Sequence, residues 1–318
     1  MPRPEQLSLF PTPGRPPDLP APIVTLPDLG QNPSLAAGAG AFQEHMLRQG
    51  FSPNTVKAFR SDLHLLAQYL GGGTPVRRIG TQRLDDFLHW LQYERAMPCN
   101  AKSYARRMTT LKVFFKWLSD VGVMREDPAA ALIHQPVPSR LPDILYDDQV
   151  DALLTAARAL RDQPDKPDVR PYLLLSLLLA TAIKKSECMA IALDHLDLRA
   201  TDGPTLYIRY ANPRQSHKER KLRLPPDIAA SLAAYRTQYA PRARLFECTA
   251  RNLEYVLTDL AQRANLPDVS FEMLRMTAAV RDYRTGMAPD VLRQKLGLSH
   301  ITWADTGEKL RRLAEPAL

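Results

Sequence analysis

Residues 52–70 read SPNTVKAFRSDLHLLAQYL, and this stretch contains the start, the buried face and the end of a helix. Ser52 is a favourable N-cap residue, and Pro53 suits the first helical position because that position has no use for an N–H donor. Three glycines follow at 71–73. Apolar side chains recur at spacings of three and four, at Val56, Phe59, Leu63, Leu66 and Leu70. The stretch therefore predicts an amphipathic helix that ends at the glycines.

Similar signals on both sides of this helix predict a helical block over residues 35–134. Thr81 is expected to cap a helix that runs through Leu91, and another helix is expected from about Asn100 to Leu118. We therefore predict a first domain of four or five helices.

A proline-rich segment separates this block from a second one. Residues 134–143 read HQPVPSRLPD, which is too stiff and polar to continue a helix, so residues 135–143 are predicted to be a linker. The remaining residues 144–318 are mostly helical in pattern, but 204–210 and 218–224 alternate like two paired strands. The predicted fold class is mainly α, with a helical first domain and an α+β second domain that holds a small β-hairpin.

Length and composition narrow the possible functions. The 318 residues suffice for two domains, and 42 Lys plus Arg against 34 Asp plus Glu give a net charge of +8, which favours a polyanionic partner. The longest apolar run, residues 173–183, is about half of what a bilayer requires, and no basic and apolar leader is present. We expect no membrane span and a cytoplasmic location. Three cysteines without CxxC spacing predict reduced thiols and no structural zinc, and no cofactor is expected.

Residues 1–34 are predicted to form a disordered tail, because they hold ten of the 28 prolines and show no sustained apolar period. Within it, QLSLF resembles the short motif by which many bacterial proteins dock on the replicative sliding clamp. The resemblance implies a clamp-binding segment formed by Gln6, Leu7, Ser8, Leu9 and Phe10. The alternative is an incidental apolar patch that packs back on its own domain.

A basic helix is expected between residues 102 and 116, where no acidic residue occurs. Its apolar stripe is predicted to contain Tyr104, Met108, Leu111, Phe115 and Leu118. Opposite or beside this stripe are five cations: Lys102, Arg106, Arg107, Lys112 and Lys116. Because solvated faces normally mix charges of both signs, this unmixed face predicts contact with nucleic-acid phosphates. A plain solvated face is the alternative interpretation.

Seven stretches resemble the tyrosine recombinases, the family of phage integrases and chromosome-dimer-resolving enzymes. The resemblance covers about 280 residues, everything after the tail. The helical core-binding domain of that family is matched at 52–70, 103–118 and 126–133. Its catalytic domain is matched at 180–198, in the hairpin segment that ends at 226, and at 270–281 and 292–299.

The resemblance implies six positions around a scissile phosphate. The family's first arginine falls on Lys184, its hairpin lysine on Gln215, its second-box histidine on Glu272, its second arginine on Arg275, its third-box histidine or tryptophan on Leu298, and its nucleophilic tyrosine on Gly307. Arg275 alone matches fully. His300 and Trp303 lie close to the third-box position, and no tyrosine follows Tyr283.

These departures predict that the family's strand-cleavage chemistry is lost, because nucleophile and charge-stabilising groups change together. A cationic cradle for DNA phosphates remains, formed by Lys184, Lys185, Arg214, Lys218, Arg220 and Arg275. The structural alternative for Lys184 is a local pair with Glu187. Glu272 is expected either to accept a hydrogen bond from Arg275 or a backbone amide, or to mark a pocket that no longer meets phosphate.

The sequence thus predicts a nucleoid-associated protein that binds double-stranded DNA without cutting it and that its tail recruits to the sliding clamp. Two alternatives stay open. One is an active site-specific recombinase that receives the tyrosine from a different chain in a heteromeric assembly; the chain itself and an active recombinase are the further partners expected. The other is an interaction module that has lost DNA binding and acts through its tail and the helix at 309–312.

Overall fold

The computed structural model describes residues 30, 32–133, 140–201 and 203–315, without the side chain of Arg214. The predicted tail motif and most of the predicted linker lie outside the described residues. The chain divides into two units, Met1–Ser139 and Arg140–Leu318. Each unit has its own hydrophobic core.

The described residues of the first unit form four α-helices, and their starts follow local capping signals. Ser52 is the N-cap of the second helix and accepts from the Thr55 N–H at 3.1 Å, as predicted. The prediction that Thr81 is a cap is wrong, because Gly80 holds that position and the Thr81 hydroxyl donates to the carbonyl of Pro128 at 2.8 Å. The helices are α1 (Leu35–Arg48), α2 (Pro53–Leu70), α3 (Thr81–His89), which continues into a π-helical turn (Trp90–Glu94), and α4 (Ala101–Asp120).

Aromatic side chains fill the centre of the first unit. Phe42 of α1 contacts Phe114 and Trp117 of α4, with ring centroids 5.4 and 5.2 Å apart. Four of the five predicted stripe residues of α4 are buried, and Tyr104 is half-buried. The buried face of α4 is broader than predicted, because Phe114, Trp117 and Thr110 are also buried. A helix covered by α1 on one side and α2 on the other needs more than one apolar stripe.

The second unit combines eight helices with one small sheet among its described residues. The helices are α5 (Asp147–Arg161), α6 (Arg170–Thr181), α7 (Lys185–Ala190), α8 (Ile228–Tyr239), α9 (Ala250–Arg263), α10 (Phe271–Arg284), α11 (Pro289–Lys295) and α12 (His300–Ala314). The strands are β1 (Leu196–Asp197), β2 (Thr205–Ile208) and β3 (Arg220–Arg223), all antiparallel in the order β1-β2-β3. The predicted fold class is confirmed.

The predicted hairpin is present, but it is shorter than expected and has a third strand. Leu206 pairs with Leu222 at the centre of β2 and β3. The segment before β3 forms a 3₁₀ helix, Pro213–Lys218, so it cannot extend the ladder. β1 is only two residues long, too short to show an alternating pattern.

Helix α6 is the centre of the second core. Five of its six leucines are buried, which is why its sequence is continuously apolar rather than amphipathic. The helix ends where Ala182 adopts a left-handed conformation, with φ of 51°. That turn places Lys184 at the start of α7 and beside α10 and β3. Within the described part of the chain, no helix combines the length and the apolar character that crossing a membrane requires.

Candidate functional site

A buried ion pair lies at the base of the candidate site. Glu187 of α7 is 4% exposed and accepts from Arg220 of β3, with Nη1 3.1 Å from Oε1 and Nη2 2.9 Å from Oε2. The hydroxyl of Tyr210 and the backbone N–H of Lys184 also donate to this carboxylate. Burial alone would raise the pKa of Glu187, but the hydrogen bonds and charge of Arg220 outweigh it and hold that pKa low.

Arg220 makes a further hydrogen bond inside the protein. Its Nε donates to the carbonyl of Lys295 at 2.7 Å, at the end of α11. Arg220 therefore joins β3 to α7 and α11. The side chain of Arg220 is only 9% exposed. Its contact with a DNA phosphate stays a prediction.

Arg275, the one full match to the family's site, is buried in α10 with 3% exposure. Its Nη1 donates to the carbonyl of Ala182 at 2.6 Å, and its Nη2 donates to that of Leu296 at 2.8 Å. These carbonyls belong to the C-caps of α6 and α11, where carbonyl groups lack helical partners. Arg275 thus joins the ends of two helices to α10, and burial lowers its pKa.

Lys184 holds a half-buried positive charge at the same place. Burial lowers the pKa of its ammonium, Glu187 raises it, and Arg275, Lys218 and Arg220 lower it further. Among the described residues, no hydrogen bond or ion pair engages the ammonium. The alternative of a local side-chain pair with Glu187 is not what the structure has, because Arg220 takes that carboxylate and Lys184 offers only its backbone N–H.

The other predicted cations of the second unit differ in their surroundings. Lys185 is exposed and donates to Glu254 at 2.7 Å. Lys218 is half-buried and lines a cavity of about 470 Å³ together with His217, Arg293 and His300. The side chain of Arg214 lies outside the description, and the half-buried Gln215 lies in the 3₁₀ helix before β3.

Glu272 lies in the first turn of α10 and is exposed. No hydrogen bond joins its carboxylate to Arg275, whose Nη atoms donate to backbone carbonyls, so Glu272 acts on Arg275 through charge. It also lines a cavity of about 420 Å³ with Lys185, Arg251 and Glu254. The expected hydrogen bond from Arg275 is therefore not made.

Gly307 lies inside α12, with the indole of Trp303 against it. A Cβ atom at position 307 would lie 3.0 Å from Cε2 and 3.2 Å from Cζ2 of Trp303. Trp303 itself packs on the apolar cluster of α10, α11 and α12, and Leu298 borders the same cluster. The indole therefore fills the space into which a side chain at position 307 would extend.

The basic helix α4 has acidic partners, one of which belongs to a different helix. Arg106 and Arg107 both contact Asp62, a buried carboxylate of α2. Lys116 pairs with Asp120 at 2.9 Å. Lys102 is exposed and Lys112 is half-buried. A carboxylate from a different helix therefore holds Arg106 and Arg107, and the predicted contact of this face with phosphates stays a prediction.

Two family models match the chain in its two units. Residues 40–122 match the N-terminal SAM-like domain of phage integrases, and residues 143–306 match the phage integrase family. The chain belongs to the phage integrase family. The resemblance to tyrosine recombinases predicted from the sequence is confirmed.

Curated relatives of this integrase-family chain are bacterial recombinases. Tyrosine recombinase XerC of Mycobacterium sp. (strain JLS) is 31% identical over 158 residues, which cover 49% of this chain and 53% of XerC. Tyrosine recombinase XerD of Vibrio cholerae is 29% identical over 153 residues, 48% of each protein. The chain spans about half the length of the curated relatives it matches.

Solved structures of integrases share the fold. One is a lambda integrase dimer bound to a COC' core site, with a TM-score of 0.68 and 14% sequence identity. The match covers 90% of this chain and 80% of the lambda integrase chain. Another is the Tn1549 transposon integrase in complex with a circular intermediate DNA, with a TM-score of 0.67 and 17% sequence identity. The match covers 87% of this chain and 94% of the Tn1549 integrase chain. At these identities the likeness establishes the fold of this integrase-family chain.

Proposed function

We propose that this integrase-family chain binds duplex DNA and does not cut it with a tyrosine of its own. The observation that carries this proposal is Gly307, which stands where the family's nucleophile is expected and whose neighbouring space Trp303 fills. Strand cleavage by this family requires a tyrosine hydroxyl to attack phosphorus. Glycine offers no nucleophile, and the nearby alkyl hydroxyls Thr302 and Thr306 have too high a pKa to attack without an activating base.

The other substitutions weaken the same chemistry. Lys184 keeps a positive charge but loses the bidentate fork that matches a phosphate. Gln215 has no acidic proton to transfer to a leaving oxygen, and the carboxylate of Glu272 repels a phosphate group. Because the groups of an active site act together, restoring any one of them is not expected to restore cleavage.

Cations without an internal partner support DNA binding. Lys102, Lys112, Lys184 and Lys218 carry no ion pair with a described residue, and the whole chain has a net charge of +8. Related integrase structures hold DNA, among them the lambda integrase dimer at its core site. We propose that these lysines, together with Arg106, Arg107, Lys116, Lys185 and Arg214, neutralise phosphates. Such contacts set affinity and register rather than sequence choice.

Two measurements on the same protein test this function. Fluorescence anisotropy with a short mixed-sequence duplex, at several salt concentrations, should show binding that weakens as salt rises. A nicked suicide duplex, which traps covalent intermediates, should give no protein–DNA adduct on a denaturing gel. An adduct formed by the chain alone would overturn the proposal. An adduct that needs a second, tyrosine-bearing recombinase would favour the heteromeric alternative, and absence of salt-dependent binding would favour the interaction module.

We also propose that Gln6–Phe10 docks the protein on the bacterial sliding clamp, which would keep it in the cytoplasm on the nucleoid. An extended segment can bury Leu9 and Phe10 in an apolar pocket, while Gln6 supplies amide hydrogen bonds. Replacing Gln6 and Phe10 together by Ala should abolish binding to purified clamp and leave DNA affinity intact. Replacing Ser8 by Asp, the other residue of the motif at this position, should keep clamp binding. An unchanged clamp titration for the double variant would refute this docking.

A further inference from the structure

Asp62 connects α2 to the basic helix α4 through a buried carboxylate. Only 3% of its surface is exposed. Its Oδ2 accepts from the Thr110 hydroxyl at 2.8 Å and from Nη1 of Arg106, and its Oδ1 lies 3.5 Å from Nε of Arg107. One acidic side chain of α2 therefore holds two neighbouring arginines of α4.

Joining two helices through a buried carboxylate costs free energy of desolvation. Burial raises the pKa of Asp62, and the opposing effects of Thr110, Arg106 and Arg107 do not cancel that rise. Well-packed apolar side chains usually stabilise such a contact at least as well as a buried ion pair. Nε of Arg107 is moreover buried without a hydrogen bond, since 3.5 Å to Asp62 gives only an ion pair. Packing alone does not account for this cluster.

The guanidinium of Arg106 is hydrogen-bonded through Nη1, and its other nitrogens are available to a ligand. Its Nη1 donates to Asp62 and to the carbonyl of Ala58, the latter at 3.2 Å, while the side chain is 39% exposed. Its Nε and Nη2 make no hydrogen bond to any described residue. A guanidinium held in this way loses little rotamer freedom when a phosphate oxygen binds its open edge.

We propose that Asp62 is a positioning residue for DNA binding. It fixes Arg106 and Arg107 in the orientation that meets phosphate oxygens, although its own negative charge opposes DNA. The inference rests on the proposed function, because it requires duplex DNA to lie against α4.

The two effects of Asp62 have opposite signs, which makes the test decisive. If Asp62 acted only through charge, Asp62→Asn would add one net positive charge and tighten DNA binding. If it positions the arginines, Asp62→Asn should weaken binding by about tenfold, the size of one charge-assisted hydrogen bond. The matched control is Asp120→Asn, which makes the same charge change beside Lys116 on the surface. That control should bind about twofold more tightly.

A double-mutant cycle separates positioning from loss of fold. In a background of Arg106→Gln and Arg107→Gln, Asp62→Asn should no longer weaken binding, because the groups it positions are absent. If Asp62→Asn does not fold, Arg106→Lys replaces it: the charge is kept, so unchanged affinity contradicts positioning and a several-fold loss supports it. If the wild type binds DNA and the Asp62→Asn variant binds it equally or more tightly, this inference is overturned and the proposed function stands. Absence of wild-type DNA binding overturns the proposed function and this inference with it.

Discussion

Arg220 meets Glu187 with two parallel contacts, 3.1 Å from Nη1 to Oε1 and 2.9 Å from Nη2 to Oε2. The side chains are 9% and 1% exposed, so water screens this pair little. Together with the bond from Arg220 to Lys295, the pair links α7, β3 and α11 under Lys184. Arg220, which the sequence predicts to contact phosphate, thus also joins the elements that position the candidate site.

Removing one member of this pair should destabilise the protein strongly. Glu187→Gln leaves Arg220 buried without its counter-charge, and we expect a loss of roughly 3–5 kcal/mol in the free energy of unfolding. Urea denaturation measures it. Glu254→Gln, which breaks the exposed pair with Lys185, is the control and should have a far smaller effect. Equal effects of the two changes would contradict the structural role of Glu187.

The same pair should make stability depend on pH. The pKa of Glu187 is lowered from the ordinary value of 4.5, so its contribution is complete above that value and is lost as pH falls through the lower, folded-state pKa. The difference in free energy of unfolding between wild type and Glu187→Gln should therefore narrow as pH falls below about 4.5. Urea titrations at several acidic pH values measure this difference, and a constant difference would contradict the prediction.

Arg275 should contribute to stability as well as to any phosphate contact. Its two bonds to the carbonyls of Ala182 and Leu296 are charge-assisted and buried. Arg275→Ala leaves both carbonyls unsatisfied, so we expect a loss of roughly 3 kcal/mol or more in the free energy of unfolding. Arg281→Ala, on the same helix but with an exposed ion pair, is the matched control. A fully stable Arg275→Ala variant with weaker DNA binding would mean that phosphate contact is its main role.

Local signals in the sequence were sufficient to locate α2 and the hairpin. Ser52 and Pro53 adjoin the helix they start, and the alternation of 204–210 and 218–224 marks the strands that pair. The partners of the charged residues in the site could not be predicted from local signals. Asp62 is 44 residues from Arg106, Glu187 is 33 from Arg220, and any acidic residue can pair with any arginine at such separations.

Backbone partners are harder still to predict. Arg275 donates to the carbonyls of Ala182 and Leu296, and every residue has a carbonyl, so no residue type marks these acceptors. The resemblance to tyrosine recombinases assigned Arg275 to a motif but gave no information about its bonds. The space that Trp303 occupies beside Gly307 is likewise a property of side-chain packing.

Trp303 should reverse the usual effect of replacing a glycine within a helix. Gly→Ala in a helix interior normally stabilises by roughly 0.5–1 kcal/mol. At position 307 the new Cβ would lie 3.0 Å from the indole, so Gly307→Ala should be neutral or destabilising. In a Trp303→Ala background the same change should become stabilising. Thermal unfolding of the four proteins measures both effects, and stabilisation of equal size in the two backgrounds would show that the indole does not restrict this position.

Lys184 should contribute one phosphate contact to DNA binding, because its half-buried ammonium lies among Arg275, Lys218 and Arg220 without an ion-pair partner among the described residues. An anion that enters there would relieve the mutual repulsion of these cations. We expect Lys184→Ala to weaken binding and to reduce the slope of log affinity against log salt by about 0.9, the value for one phosphate contact. Lys184→Arg keeps the charge and should keep the slope. Lys166→Ala, which removes an exposed lysine that is not among the predicted interface residues, controls for the loss of net charge. A slope reduced equally by Lys184→Ala and Lys166→Ala would mean that net charge, and not contact at Lys184, governs binding.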